Sequence, residues 1–161
     1  MKNKKFDLKK GPKDERDFIF RPEAFSINLP QKIDLRKKLK VSVYNQYSFS
    51  SCTANALAAS IQFLQEKKRM PSRMMLYNLA REYEDNLSCD CGAYIRDVIK
   101  VANKIGTVTE NLFDYSKANL NTSPSVELRN VATIKIGAYE RVPEAMFLCL
   151  ERCLPVGFLL L

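Results

Sequence analysis

The residues whose types and spacing best suit nucleophilic chemistry lie between Tyr44 and Ala56. This segment reads Tyr-Asn-Gln-Tyr-Ser-Phe-Ser-Ser-Cys-Thr-Ala-Asn-Ala. It places Cys52 in the first turn of a predicted helix, where unpaired backbone N–H groups and the helix dipole favour a thiolate. A thiolate is a nucleophile, and its attack on a carbonyl needs donors aimed at the developing oxyanion. Gln46 lies upstream across a Ser-rich turn and can supply one donor, beside the backbone N–H of Cys52. Taken alone, a cysteine here could be a buried structural residue, but the whole segment favours a nucleophile.

Three helices are predicted to position this segment. The first begins at Ser50-Ser51-Cys52, with a serine hydroxyl as its cap, and runs from Thr53 to Glu66. Its alanines make the first turns slender, so we expect it to be the buried central helix. The second helix is predicted over 73–86 and the third over 93–105, with Gly106 as its stop. The residues predicted to face inward are Leu57, Ile61 and Leu64, then Leu76, Leu79, Ala80 and Tyr83, then Ile95, Val98, Ile99 and Ala102.

The remainder is less regular and contains the β-structure. Residues 107–131 look mostly irregular, and the alternation over 133–136 predicts a strand. A helix is expected from Pro143 to near Cys153, followed by a strand-like apolar run over 156–161. The fold class is therefore α+β, with an extended leader over 1–28, a helical subdomain over 29–132, and the beginning of a β-rich subdomain over 133–161.

Charge and composition narrow the function further. The 161 residues contain no histidine, which removes the commonest general base and metal ligand. Of the net charge of +8, residues 1–40 hold +7, so the basic excess is a property of the N-terminal part of the chain. A solvated leader is favoured over a nucleic-acid contact. No apolar run could span a bilayer and no secretory signal is visible, so we expect no membrane association, a cytoplasmic location and reduced thiols.

The motifs quoted above resemble those of the papain-like cysteine peptidases, in particular the microbial and large-virus branch. Gln46 and the run Ser51-Cys52-Thr53-Ala54 match the pattern around the family's nucleophile. Weaker matches follow in the same order along the chain over residues 29–161. They are Leu29-Pro30 with Ile33-Asp34-Leu35-Arg36, Pro71-Ser72-Arg73-Met74-Met75-Leu76-Tyr77, Gly92-Ala93-Tyr94-Ile95-Arg96-Asp97, Gly106-Thr107-Val108-Thr109-Glu110 with Phe113-Asp114-Tyr115, and Leu154-Pro155-Val156.

The resemblance implies a helical subdomain around the nucleophile helix, and amide hydrolysis through an acyl-enzyme without a cofactor. Cys52 would be the nucleophile and Gln46 the oxyanion donor. Gly92 would lie near the backbone that pairs with an extended peptide or protein substrate. The family's His and Asn follow the nucleophile by about 130–150 residues, beyond the last residue here. We therefore expect the N-terminal part of such a peptidase, inactive alone, with the His/Asn half absent from this chain or held by a companion chain.

Two other functions stay open. Cys89, Cys91, Cys149 and Cys153 supply four thiols that could bind zinc, although the spacing between the pairs is long and no metal is the favoured prediction. A non-catalytic, peptidase-like binding protein is the other alternative, with a contact to nucleic acid or an acidic surface through the basic arm.

Overall fold

A computed structural model describes residues 11, 15, 18–20, 43–65 and 69–142. The chain divides into two compact units. One contains residues 41–137 and so holds most of the described part; the other comprises 13–40 and 138–160. Within the second unit, Ile19 forms a parallel bridge with Arg141, and the Phe20 N–H donates to the Arg141 carbonyl at 2.9 Å. Residues 33–36, the predicted helix from Pro143 and the predicted strand-like run over 156–161 lie outside the described residues.

Helices dominate the first unit, and the three predicted ones are present. Among the described residues none is long and apolar enough to cross a membrane. A fourth, short helix occupies part of the segment predicted to be irregular. The helices are α1 (Cys52–Leu64), α2 (Arg73–Tyr83), α3 (Ile95–Lys104) and α4 (Val126–Asn130).

The second helix, not the first, is the buried centre of this unit. Every residue of α2 from Arg73 to Arg81 is buried, and α2 packs against both α1 and α3. α1 also packs against both of the other helices, but only seven of its thirteen residues are buried, so α2 is the more enclosed of the two. The reason is that the polar side chains of α2 find partners inside the protein, so this helix can be enclosed on all sides.

Two residues predicted to face inward do not. Leu64 at the end of α1 is 76% exposed and Tyr83 at the end of α2 is 54% exposed. Both follow the apolar period of their helix, but each lies at the end of its helix, beyond the last turn that the neighbouring elements cover. The other predicted apolar positions of α1 and α2 are buried, namely Leu57, Ile61, Leu76, Leu79 and Ala80.

The β-structure in the described part consists of isolated bridges. Thr107 pairs antiparallel with Ile134, and Pro71 pairs with Thr109. The strand predicted over 133–136 is thus reduced to one bridged residue, because its only described ladder partner is the short segment after α3. Gly106 ends α3 as predicted, with φ +88° and its N–H donating to the Val101 carbonyl at 2.9 Å.

Candidate active site

Cys52 is the first residue of α1, and its thiol is free and half-buried. Ser51 occupies the N-cap position as predicted, but its hydroxyl makes no capping bond. It is fully buried and bonds instead to the Tyr115 hydroxyl. The predicted N-cap position is therefore confirmed, whereas the predicted capping bond from the serine hydroxyl is wrong. The first N–H groups of a helix have no partner within it, so this end of α1 keeps donors that the cap would otherwise have used.

Gln46 lies in the tight turn that leads into α1. Its side-chain Nε2 donates to the Phe49 carbonyl at 2.8 Å, and its own carbonyl accepts from the Phe49 N–H at 3.3 Å. Tyr47, within the same turn, has φ +53°, a conformation that L-residues seldom adopt. The bond between the Gln46 carbonyl and the Phe49 N–H closes a turn over residues 46–49. A carboxamide nitrogen carries two hydrogens, so one remains for another acceptor, and the oxyanion role of Gln46 stays a prediction.

The Tyr115 hydroxyl joins this turn to the start of α1. It donates to the Gln46 carbonyl at 3.1 Å and accepts from Asn55 Nδ2 at 3.2 Å. Because a phenol has a single hydrogen, the bond to Ser51 must come from the serine side. Asn55 also donates to the Ser51 carbonyl at 2.9 Å. The residues on either side of Cys52 are therefore fixed through one buried polar group.

An ion pair between the buried Arg73 and the half-buried Glu110 supports the same turn from α2. Arg73 forms a bidentate pair with Glu110, with Nε–Oε2 at 2.8 Å and Nη2–Oε1 at 2.6 Å. The remaining nitrogen, Nη1, donates to the Asn45 carbonyl at 3.1 Å and to Asn55 Oδ1 at 2.9 Å. The guanidinium also stacks over the Tyr115 ring at 3.9 Å from its centroid. One arginine thus links the Gln46 turn to α1.

Asp90 holds the residue two positions before the thiol. The Ser50 N–H donates to its two carboxylate oxygens, at 3.0 Å to Oδ1 and 3.3 Å to Oδ2. The Tyr77 hydroxyl donates to Oδ1 at 2.6 Å. Since Tyr77 belongs to the buried helix α2, Asp90 connects the Cys52 turn to the core of this unit.

Gly92 is buried, with φ +79°, which only glycine adopts without cost. Its N–H donates to the Tyr77 hydroxyl at 3.0 Å. Pairing of an extended substrate at this position would therefore rest on the Gly92 carbonyl or on neighbouring backbone. The substrate-binding role of Gly92 stays a prediction.

Cys89 and Cys91 are joined by a disulfide, with their Cα atoms 5.3 Å apart. The expectation of reduced thiols does not hold for this pair, while the cytoplasmic location stays a prediction. These two sulfurs cannot serve as thiolate zinc ligands, and Cys149 and Cys153 lie outside the described residues. Within the described part, no cluster of three or more histidine, cysteine or carboxylate side chains could hold a metal ion.

Burial keeps the site's phenols protonated. It raises the pKa of Tyr44 to about 12, partly opposed by the Arg73 charge. It likewise raises the pKa of Tyr115, although hydrogen bonds from Ser51 and Asn55 oppose it. For Tyr77, burial and the Asp90 hydrogen bond both raise the pKa. Burial is the largest influence on Arg73 and disfavours its charge, but the hydrogen bond and the charge of Glu110, with contributions from Tyr115 and Tyr44, together outweigh it and raise the guanidinium pKa. At neutral pH these phenols are therefore hydrogen-bond donors.

The sequence alone predicted no role for the residues that support the turn. A signal existed for some of them, because Arg73, Glu110 and Tyr115 stand in the segments that resemble the papain-like family. Their partnership joins positions far apart in the sequence, which no periodic pattern encodes. Asn55 lies within the quoted segment around Cys52, and Asp90 lies between two of the named cysteines, but only the geometry shows which donors and acceptors they meet.

Known proteins resemble this chain in sequence and in structure. No family model matches the sequence. An uncharacterized peptidase C1-like protein of Acanthamoeba polyphaga mimivirus is 30% identical over 162 residues, which span 87% of this chain and 52% of that protein. The crystal structure of xylellain, a cysteine protease from Xylella fastidiosa, matches with a TM-score of 0.78 at 34% identity, covering 89% of this chain and 61% of xylellain.

The chain is related to the papain-like, C1-type cysteine peptidases. The resemblance and the papain-like fold class predicted from the sequence are both confirmed. The chain spans about half the length of the curated relative that it matches. What this papain-like chain does by itself is therefore a matter for proposal.

Proposed function

We propose that this chain supplies the nucleophile side of a papain-like thiol peptidase, acting on peptide or protein substrates without a cofactor. The observation that supports this most is the position of Cys52: a free, half-buried thiol on the first residue of a helix. The Gln46 turn precedes that helix and is fixed to it through Tyr115. A structural cysteine would need neither the turn nor these bonds.

In the proposed reaction the Cys52 thiolate attacks the carbonyl carbon of a peptide bond. A C–S bond forms, and the carbonyl π electrons move to oxygen. The resulting oxyanion receives hydrogen bonds from the Cys52 N–H and the second Gln46 Nε2 hydrogen. Collapse of this intermediate breaks the C–N bond, and the leaving amine takes up a proton. Water then cleaves the thioester, releasing the acid and the thiol.

That proton needs a donor, and the 161 residues contain no histidine. In the proposal the acid and base come from residues outside this sequence, either further along a longer chain or on a companion chain. Without such a group, leaving-amine protonation loses the general acid that typically contributes about 10²–10⁴-fold. The 161 residues alone should therefore form an adduct with an activated carbonyl but should not turn over peptides.

A peptide aldehyde tests the proposal, because its adduct with a thiol mimics the tetrahedral intermediate and needs no leaving group. With an aldehyde labelled with ¹³C at its carbonyl carbon, we expect a hemithioacetal NMR signal with the wild-type chain. The Cys52→Ser variant should lose that signal. Absence of the signal in the wild-type chain, with Cys52 confirmed as a free thiol, would overturn the proposal.

A non-catalytic peptide-binding protein is the second candidate, and the lack of histidine in these residues favours it. The same aldehyde separates the two functions. A binding protein would hold the peptide part equally well in the Cys52→Ser variant and with a peptide alcohol in place of the aldehyde. A nucleophile would bind the aldehyde far more tightly than the alcohol. The nucleic-acid contact through residues 1–28 falls almost wholly outside the described part and stays a prediction.

A further inference from the structure

The disulfide between Cys89 and Cys91 encloses a single residue, Asp90. That residue is the acceptor for the Ser50 N–H, two positions before the thiol of Cys52. This disulfide loop and the candidate nucleophile are therefore connected through one carboxylate. No part of the proposed reaction uses this connection.

The backbone on either side of Asp90 has anchors that do not depend on the disulfide. The Cys89 carbonyl accepts from Arg81 Nη1 at 2.5 Å, and Arg81 is fully buried in α2. The Gly92 N–H is bound to the Tyr77 hydroxyl. Between these two fixed points the Asp90 side chain is also held by the Tyr77 hydroxyl at 2.6 Å, so the disulfide adds restraint to the backbone of Asp90 and Cys91. Breaking the S–S bond would therefore leave Asp90 on this one side-chain bond, with its backbone freer to move.

The disulfide is also open to reductants. Cys89 is exposed and Cys91 is half-buried, so a small thiolate can reach the S–S bond. Reduction by a small dithiol proceeds through a mixed disulfide. The dithiol loses two electrons and two protons and closes to its own disulfide, while Cys89 and Cys91 become two thiols.

We propose that the Cys89–Cys91 disulfide is a redox-sensitive element that controls the reactivity of Cys52 through Asp90, a positioning residue for the turn before α1. In the oxidised form Asp90 holds the Ser50 N–H, and the first turn of α1 is well formed beneath the thiol. In the reduced form that bond is lost for part of the time, and the N–H groups that favour the thiolate are less well aligned. The control of a peptidase by this route rests on the proposed function, whereas the effect on the thiol does not.

The test measures the rate at which iodoacetamide alkylates Cys52, resolved from the other cysteines by peptide mass mapping. We expect the rate to fall roughly two- to five-fold, the range of a weakened helix-dipole contribution, in the Cys89→Ser/Cys91→Ser double variant and in the chain reduced with a non-thiol phosphine. Asp90→Ala should lower the rate similarly with the disulfide intact, and the double variant should add nothing further to it. Asp90→Asn, which keeps a carbonyl acceptor for Ser50, should restore the rate.

Control variants distinguish a positioning role of Asp90 from a general loosening of its loop. Ser88→Ala alters an exposed neighbour in the same loop and should leave the rate unchanged. The rate profile from neutral to alkaline pH should shift in Asp90→Ala and not in Asp90→Asn, which a purely structural role would not produce. Circular dichroism checks that each variant is folded.

Three results would overturn the proposal. Peptide mapping of the oxidised protein could show Cys89 and Cys91 as free thiols. The Cys52 rate could be equal in the oxidised and reduced forms. Opening the disulfide could still slow alkylation in the Asp90→Ala background, which would mean that Asp90 is not the link. Because iodoacetamide needs no peptidase site, a redox effect without an aldehyde adduct would reject the proposed function and keep this inference.

Discussion

The residues around Cys52 are held in place by an ion pair with little exposure to solvent as much as by apolar packing. The Arg73 and Glu110 side chains are only 7% and 19% exposed. Such a pair contributes little net stability over an apolar pair, but losing one partner leaves a buried charge uncompensated. The pair's value here is positional, since the same guanidinium binds the Asn45 carbonyl and Asn55.

Glu110→Ala should therefore lower the free energy of unfolding by about 3 kcal/mol, because it strands the Arg73 charge. Chemical denaturation followed by circular dichroism measures this. The matched control is Glu82→Ala, which removes the more exposed pair with Arg129, whose side chains are 36% and 27% exposed. We expect that change to cost about 0.5 kcal/mol. Equal losses in the two variants would contradict the positional role of the buried pair.

The raised pKa of a buried phenol leads to a prediction about the stability of the protein at alkaline pH. The pKa of Tyr44 is raised from 10.0 to about 12, so the folded state keeps its proton where the unfolded state has lost it. The stability tied to Tyr44 is thus complete below pH 10 and is lost as the pH rises toward 12. Tyr44→Phe should reduce the loss of unfolding free energy across that window. Tyr47→Phe, at a position 59% exposed, should not, and identical slopes would refute the assignment.

At the scale of elements, sequence patterns predicted α1, α2 and α3 to within three residues at each described end. Apolar periodicity and the Gly106 stop carried that information. The burial of α2 on all sides could not be predicted, because Arg73, Asn78 and Arg81 look like solvent-facing positions until their partners are known. Asn78 donates to the carbonyls of Asn119 and Thr122, which lie in a loop distant in sequence.

Signals that are too short, and contacts between residues distant in sequence, explain the remaining differences between the predicted and the observed structure. α4 is one short turn whose Ser125 cap accepts from the Leu128 N–H at 3.3 Å, a local signal too brief to give a periodic pattern. The Ser51 hydroxyl was predicted to cap α1, but the Tyr115 hydroxyl from a distant loop binds it instead. Cys52 and Gln46 were placed correctly at the helix start and in the turn, because both features are local.

A substitution at Gly106 tests how the end of α3 packs against residues 134–135. A Cβ at this position would lie 2.6 Å from Lys135 Cγ and 2.8 Å from the Ile134 carbonyl oxygen, and its φ is +88°. Gly106→Ala should destabilise the protein by about 2 kcal/mol or more, since the left-handed backbone alone costs about 1–2 kcal/mol for an L-residue. Gly137→Ala, with nothing within 4 Å, is the control and should be close to neutral in thermal unfolding. Similar effects at both glycines would contradict this packing.

At the scale of the whole molecule, the chain combines a papain-like fold with a sequence that contains no histidine. The 161 residues alone should therefore show no turnover of an unstructured fluorogenic peptide, even at high protein concentration. Turnover that Cys52→Ser abolishes would contradict the need for an outside acid and base. Turnover that survives Cys52→Ser would indicate a contaminating protease.

The central claim is that Cys52 and Gln46 act together on a carbonyl, and one comparison tests it most directly. Peptide-aldehyde affinity depends on an oxyanion donor, whereas alkylation by iodoacetamide forms no oxyanion. We predict that Gln46→Ala weakens aldehyde binding by about ten-fold or more while the iodoacetamide rate at Cys52 stays within two-fold of wild type. Unchanged aldehyde affinity, or equal losses in both reactions, would contradict the account.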